Sequence, residues 1–535
     1  MTRLAAAVCT GPRRASSGRS FGGLWFKVFS ERGPCRRSRR TVAGEARAAT
    51  GRGGRAPLRH PTTDPRGPAV NRATLSVWDD EACRRVHAAS LTVLERTGVA
   101  AKDERTRELC AAAGAPVDGR RVRLPRALVE QALASAPRTW TLRPRGGETA
   151  PLELRDGAGY LGSGPDCLYV ADPDTGERRR ATLADVEAAA RVVEALPNID
   201  FAMSMALPRD VPNEAVDVTQ FAAMLRGTRK PIVVSSPFGG ETLHTMHAMA
   251  AACGEAGSFA CLAMSSPPLQ LDDVCCSKTL ACADLDVPLV LAPSVSAGAQ
   301  GPASLTACVA VANAEVLAGL VVHQLGKAGA PFVMGVGTGV MNMQTAVDVY
   351  NAPGVFLGNQ AHLDLIRWYG LPSWHYAGHS DSKTLDEQWA LELGIATVMG
   401  ALSRATLLHD VGYLESGMQG ALEGLVLGDE VAGYARALLA ELPVDDEALA
   451  LAEVDAAGPG GTHLGASMTR RRYRDFWRAS LIDQTTWERW SAAGGLTLLE
   501  RVRARLAEIR AAGPAFALDG ETQRRIDALV AGRRP

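Results

Sequence analysis

The chain has 535 residues, 46% of them hydrophobic, and its 58 Lys and Arg cancel its 58 Asp and Glu. That length can bury one large core or two modest ones, and the charge balance removes any molecule-wide attraction to nucleic acid or to an anionic membrane. With no uninterrupted apolar run of eighteen residues and no charged-then-apolar signal peptide, the expectation is a soluble cytoplasmic protein.

Eleven cysteines without a C-x-x-C pair or a recurring spacing read as reduced, buried, small apolar residues. Residues 1–72 carry sixteen Arg and Lys against Glu31, Glu45 and Asp64, and are rich in Gly, Ser and Pro, so they are expected to be a disordered extension. The segment reads as a transit peptide or as a start assigned too far upstream of Val70, and the second is preferred.

Residues 73–158 are predicted to form an N-terminal helical cap. "DDEACRRVHAASLTVLERTGV" from Asp79 has helical apolar spacing, acidic residues in its first turn and a Gly stop, and a later helix opens with Pro125.

From residue 159 to 440 short apolar runs alternate with longer amphipathic stretches, the rhythm of parallel strands joined by crossover helices. Eight strands are predicted: "GYLGS" at Gly159, "DFAMSM" at Asp200, "PIVVSS" at Pro231, "FACLAMSS" at Phe259, "PLVLAPS" at Pro288, "PFVMGVG" at Pro331, "PSWHYAG" at Pro372 and "ATLLHDVG" at Ala405. The expected fold is therefore α/β, a TIM (β/α)8 barrel with its functional groups at the carboxyl ends of the strands. An open doubly wound sheet would also place ligands there. Residues 441–535 are expected to be a helical tail packed on the barrel, clamped by Phe476, Trp477, Trp487 and Trp490.

No Walker A sequence, G-x-S-x-G elbow or strand-linked G-x-G-x-x-G occurs, and no H-E-x-x-H or Cys/His cluster suggests a metal. "GVGTGV" at Gly335 lacks the acidic ribose partner of a dinucleotide site. Lys383 is a candidate Schiff-base lysine, but it lies beyond its strand rather than on it.

What remains is a set of aromatics and carboxylates near the strand ends: Tyr160, Asp166, Tyr350, Trp374, His375, Tyr376, His379, Asp381, Tyr413 and Glu415. Such a lining suits a bulky cation without hydrogen-bond donors, which ring faces and nearby carboxylates attract. Alternation along the strand sends Trp374 and Tyr376 to one side and His375 to the other.

Several stretches in order, "LTVLERTGV", "VRLPRALVEQALASAP", "NAEVLAGLVVHQL", "YGLPSWHYAGHSDSK", "LESGM" and "LIDQTTWERWSAAG", resemble the trimethylamine methyltransferase family of corrinoid-dependent methyltransferases, whose fold is a TIM barrel. The resemblance runs from about Ala73 to the end. Members resembling the archaeal trimethylamine enzymes carry pyrrolysine just before the "SD" of this motif, where this chain has His379. The resemblance therefore implies a relative without pyrrolysine, acting on a glycine betaine-like quaternary amine and not on trimethylamine.

The implied reaction passes a methyl group to the Co(I) of a corrinoid carried by a separate acceptor protein, because the chain has no D-x-H-x-x-G cobalt-ligand sequence. No tightly bound cofactor or metal is expected in this chain, and a homo-oligomer is allowed. His379 and Asp381 are the expected catalytic pair, with a Ser380–Asp381 helix-capping turn as the structural alternative. Tyr160, Asp166, Tyr350, Trp374, Tyr376, Tyr413 and Glu415 are expected to bind substrate, although Glu415 could instead pair with an arginine. Ser163, Gly164 and Gln388 are expected to orient loops, and Asn313 and Glu315 to be internal hydrogen-bond partners. A non-catalytic protein binding a betaine-like cation is the alternative function, and a Schiff-base barrel lyase using Lys383 a more distant one.

Overall fold

Seven of the eight apolar runs form one parallel sheet in the computed structural model, which describes Asn71, residues 73–147 and residues 149–532. Apart from Asn71, the expectation for residues 1–72 falls outside the described residues. The strands are β1 (Tyr160–Ser163), β2 (Ile232–Val234), β3 (Phe259–Met264), β4 (Leu289–Ala292), β5 (Phe332–Gly335), β6 (Ser373–Tyr376) and β7 (Leu407–Val411), ordered β1-β7-β6-β5-β4-β3-β2.

The remaining run, "DFAMSM", forms no ladder, yet Phe201 bridges Gly162 of β1 and Ala202 bridges Ile232 of β2 in parallel. It lies between the two sheet edges. The Asp200 carboxylate accepts from the Leu161 N–H at 2.8 Å, and the Ser163 hydroxyl takes the Met203 N–H at 2.8 Å, so side chains supply part of the pairing. The Phe201 ring occupies the space over Gly162, where a Cβ would meet it at 2.2 Å.

Helices follow each run: Leu183–Ala195, Val216–Gly227, Thr242–Ala252, Asp273–Leu285, Leu305–Gly326, Pro353–Tyr369, Glu387–Ser403 and Leu422–Leu439. Both faces of the sheet are dry, which explains the unbroken apolar runs. Val233, Leu262, Val290, Val333, Trp374 and Leu407 pack together with Phe201 and Met203 on one face. Val234, Cys261, Leu291, Met334 and Leu408 pack beneath the helices on the other. The helix Leu305–Gly326 is long and apolar enough to cross a membrane, with mean hydropathy 2.0, but 78% of that stretch is buried within the protein. It is a core helix.

The segment before the sheet is less purely helical than expected. Besides the helices Asp80–Arg96, Glu104–Ala112 and Arg126–Ser135 it holds short strands at Val99–Ala101, Val117–Asp118 and Arg121–Val122, which join Gln270–Leu271 of the loop after β3 in a small sheet.

The tail packs on the helices around the sheet, and of the aromatics expected to clamp it Trp477 takes part, its ring edge-on to Tyr434 of the helix Leu422–Leu439 at 5.4 Å. Phe476 and Trp487 are 75% and 71% exposed, whereas Val502, Leu506, Ile509 and Ile526 are buried. A carboxylate helps as well: Glu430 accepts from the Ser480 hydroxyl and from the N–H groups of Ser480, Leu481 and Ile482.

Burial pushes the imidazoles of His323, His362 and His375 down to about 3 from an ordinary 6.5. Between these values the unfolded chain takes up protons that the native rings refuse, so the stability held above pH 6.5 is lost as pH falls toward 3. His362 is the cleanest probe, because neither of its ring nitrogens has a hydrogen-bond partner. Urea unfolding of His362→Leu between pH 6 and 4 is expected to give a pH slope shallower than the parent's by about 1.4 kcal/mol per unit. An unchanged slope would mean that His362 is protonated in the native state.

Candidate active site

A cavity opens at the carboxyl ends of the strands. Tyr376 at the end of β6, His409 and Asp410 on β7, and Leu262 and Met264 on β3 line it, together with Tyr350, His379, Asp348, Thr338 and Tyr413 from the loops beyond.

The rings form a continuous chain. Trp374, 1% exposed within the curled sheet, stacks on His409 at 4.2 Å between centroids, and His409 lies 5.2 Å from Tyr376. Tyr376 in turn faces Tyr350 at 6.0 Å and His379 at 6.3 Å. Burial raises the phenols of Tyr350, Tyr376 and Tyr413 above their ordinary value, with the Asp410 carboxylate pushing the same way. All three are neutral rings at neutral pH.

Two of the cavity residues owe their orientation to a break in β7. Strict alternation would send His409 and Asp410 to opposite faces, but the pairing of β7 with β1 shifts register between Leu408 and Val411, and Asp410 takes a left-handed backbone, φ 77°. Both side chains line the cavity. Asp410 is 2% exposed, and its Oδ1 has no hydrogen-bond partner; His409 Nδ1 lies 2.5 Å away, out of line for a hydrogen bond.

His379 is 1% exposed, with Asn351 Nδ2 3.1 Å from its Nδ1 and the Tyr350 ring edge-on at 5.5 Å. Burial lowers its pKa against the opposing pull of Asp410 and Asp381, favouring a neutral imidazole.

Asp381 is held away from the cavity lining. Its carboxylate accepts from the N–H groups of Tyr350 and Asn351, each at 2.9 Å, and from the Ser416 hydroxyl at 2.7 Å. These contacts join the loops after β5, β6 and β7. The Ser380 hydroxyl and the Asp381 N–H both donate to Glu392 at 2.7 Å, and Gln388 donates to the other oxygen of Glu392 at 2.9 Å, so Gln388 supports this loop through Glu392.

The other sequence-predicted residues divide by position. Tyr413 seats its ring over Gly164, where a Cβ would meet it at 2.1 Å, and its hydroxyl donates to the Pro165 carbonyl. Ser163 ties β1 to the Phe201–Met203 segment. Asp166 accepts from Ser204, Gln220 and Ser235, linking three strand ends without lining the cavity.

Tyr160 begins β1, at the opposite end from the cavity, and its hydroxyl accepts from the Glu153 N–H at 3.1 Å. Trp374 forms the packing beneath the site. Glu415 pairs with Arg178 at 2.8 Å, as its structural alternative expected. Lys383 is exposed and donates to the Asp381 carbonyl at 2.7 Å, so it reaches no apolar pocket. Glu315 accepts from Ser265 at 2.5 Å and from the Leu269 N–H at 2.7 Å, and burial pushes its carboxyl up to about 7. Asn313 donates to Ser90 and Tyr369 within the core.

Asp348, His409 and Asp410 are carboxylic acid and imidazole groups of the cavity that the site candidates left out, although His409 and Asp410 close the predicted strand "ATLLHDVG". Asp348 stands two positions before Tyr350, and the Ser296 hydroxyl donates to it. That spacing from a chosen aromatic was a usable signal.

The family model for trimethylamine methyltransferase (MTTB) matches residues 46–535. The chain is 28% identical over 468 residues to a glycine betaine methyltransferase of Desulfitobacterium hafniense strain Y51, covering 86% of this chain and 97% of that one. It is 27% identical over 436 residues to the trimethylamine methyltransferase MttB of Desulfitobacterium hafniense strain DSM 10664 / DCB-2, covering 80% and 88%. The crystal structure of the hydroxylamine MtmB complex shares the fold at a TM-score of 0.50 and 12% identity, over 83% of this chain and 90% of that one. By the extent of the family match, the chain belongs to the trimethylamine methyltransferase family.

Proposed function

We propose that the chain moves a methyl group from a quaternary amine to the Co(I) of a separate corrinoid protein, on a (β/α)8 barrel whose eighth position is the Phe201–Ala202 segment. The observation that carries the reading is the cavity itself, walled by Tyr350, Tyr376 and Tyr413 and bearing the carboxylates of Asp348 and Asp410. Ring faces and carboxylates together attract a cation that has no N–H to donate. The names of the methyltransferase relatives support the same chemistry.

In this reaction the Co(I) acceptor supplies the electron pair that takes the methyl group, while the pair of the broken C–N bond stays on nitrogen. The leaving group is then a neutral tertiary amine, so no residue has to protonate it. The protein's task is to hold the ammonium and aim one methyl at the mouth, a matter of positioning and electrostatics. Tyr376 and Tyr350 would face the ammonium methyls, His379 would close the wall as a neutral ring, and Asp381 would act as a positioning residue that fixes Tyr350. The strand ends and the loops beyond them present exposed Phe238, Met264, Met343, Val347 and Met418, apolar side chains suited to a large protein-borne macrocycle.

Purified protein, a Co(I) corrinoid protein or free cob(I)alamin, and a panel of quaternary amines provide the test, followed by loss of the Co(I) absorbance. Transfer is expected with a quaternary amine, whereas a protein that only binds the cation would leave Co(I) unchanged. Tyr376→Ala is expected to lower kcat/KM by roughly 10- to 30-fold, and Tyr376→Phe, which keeps the ring, by no more than about threefold. Equal losses in both variants would assign the effect to the hydroxyl and overturn the cage. Asp381→Asn places an amide among donors that need acceptors, and is expected to cost about 1–3 kcal/mol in denaturant unfolding. Unchanged stability would show that the three-loop tie contributes nothing.

A further inference from the structure

We propose that the cavity selects a quaternary cation carrying no carboxylate, a choline-type alcohol in preference to a betaine; the inference rests on the methyl-donor reading above and narrows its substrate class. Among the described residues lining the cavity none is Lys or Arg, while two, Asp348 and Asp410, are carboxylic acids. The only other titratable groups in the wall are His379, His409 and the phenols of Tyr350, Tyr376 and Tyr413. His379 is held toward its neutral form by burial, and the phenols are neutral. A zwitterion would bring its carboxylate among two carboxylic acids, one of them 2.5 Å from the His409 ring nitrogen, with no Lys or Arg in the lining to receive it, an arrangement that disfavours an anionic group.

The surroundings do not supply the missing positive charge. Lys278, buried on the helix Asp273–Leu285, donates to the carbonyls of Ser235 and Leu262 at 2.8 and 3.0 Å. Arg178 pairs with Glu415, and Lys383 is turned to the Asp381 carbonyl. The Gly337–Gly339 turn is not an open nest for an anion either, because both the N–H and the hydroxyl of Thr338 donate to Asn359 Oδ1 at 2.8 Å.

A cation with a hydroxyl meets complementary groups instead. Asp410 presents a buried carboxylate with an unpartnered oxygen, and Asp348, whose carboxylate already accepts from Ser296, retains acceptor capacity for an alcohol O–H. The trimethylammonium head fits the faces of Tyr350 and Tyr376. The substrate is therefore recognised as a net positive charge, not as a zwitterion.

Isothermal titration calorimetry on the purified chain, with choline, tetramethylammonium, glycine betaine and the neutral isostere 3,3-dimethylbutan-1-ol, tests this. Choline is expected to bind at least about tenfold more tightly than glycine betaine and than the neutral alcohol. Asp410→Asn keeps a residue type that tolerates the left-handed backbone and removes a buried charge, so it should melt no lower than the parent while losing about tenfold in choline affinity and narrowing the gap to betaine. Asp348→Asn should narrow that gap as well. Glycine betaine binding as tightly as choline, or choline affinity unchanged in both variants, would overturn the inference. The Co(I) assay separates it from the reading beneath it: transfer from betaine but not from choline sinks only the substrate class, whereas no binding and no transfer with any donor sinks both.

Discussion

The last strand of the sheet cannot pair straight through with the first. Between Leu408 and Val411 the register of β7 against β1 slips, and the chain absorbs the extra length by turning Asp410 into a left-handed conformation. A residue without a short polar side chain would occupy that backbone poorly, which gives the position a reason to be Asp quite apart from its charge. The slip places two consecutive side chains in one cavity, something a regular strand cannot do. His409 then lies flat on Trp374 and roofs the dry interior, while Asp410 is buried facing the rings of the loops. Floor and charge of the site therefore come from a single irregularity.

The wall above that floor depends on a different device. Tyr350 belongs to the loop after β5, His379 to the loop after β6 and Tyr413 to the chain after β7, and loops of separate strands have no ladder to fix their spacing. The Asp381 carboxylate supplies it, accepting two backbone N–H groups from the first loop and a hydroxyl from the third. Glu392 holds the Asp381 segment from the helix side. A carboxylate with its oxygens engaged in this way is a poor participant in chemistry and a good strut, because its acceptor capacity is already spent. "GHSDSK" is thus divided between the two roles, with His379 in the wall and Asp381 behind it.

Much of this was legible in the sequence, because unbroken apolar runs at regular spacing have few explanations other than strands buried on both faces. Each predicted run has its place between β1 and β7, including "DFAMSM", whose two bridges replace a ladder. Alternation also separated Trp374 and Tyr376 from His375. The errors came from applying the strand-end rule loosely. Tyr160 is the first residue of its strand and Trp374 sits two positions before the end of its own, so neither reaches the open end. Asp410 stands at the end of its predicted strand, but its direction depends on a bulge, and bulges follow from how two distant strands meet rather than from local pattern. In the tail the spacing of the aromatics served only in part: Trp477 meets Tyr434, whereas Phe476 and Trp487 stay exposed, and Val502 and Leu506 of the amphipathic helix Leu498–Ala512 pack inward.

The electrostatics of the cavity follow from what surrounds Asp410. Removing a carboxylate from water costs several kcal/mol unless a cation or hydrogen-bond donors replace the solvent. Elsewhere this protein follows that rule closely: Asp166, Asp381, Glu392 and Glu430 each collect two or more donors. Asp410 collects none among the described residues, and the nearest polar atom, His409 Nδ1, is out of line. The rings of Tyr350, Tyr376 and Tyr413 line the same cavity, and an aromatic face cannot solvate an anion. Both the carboxylate and the rings are favourable surroundings for a cation that enters between them, so their placement suits an ammonium.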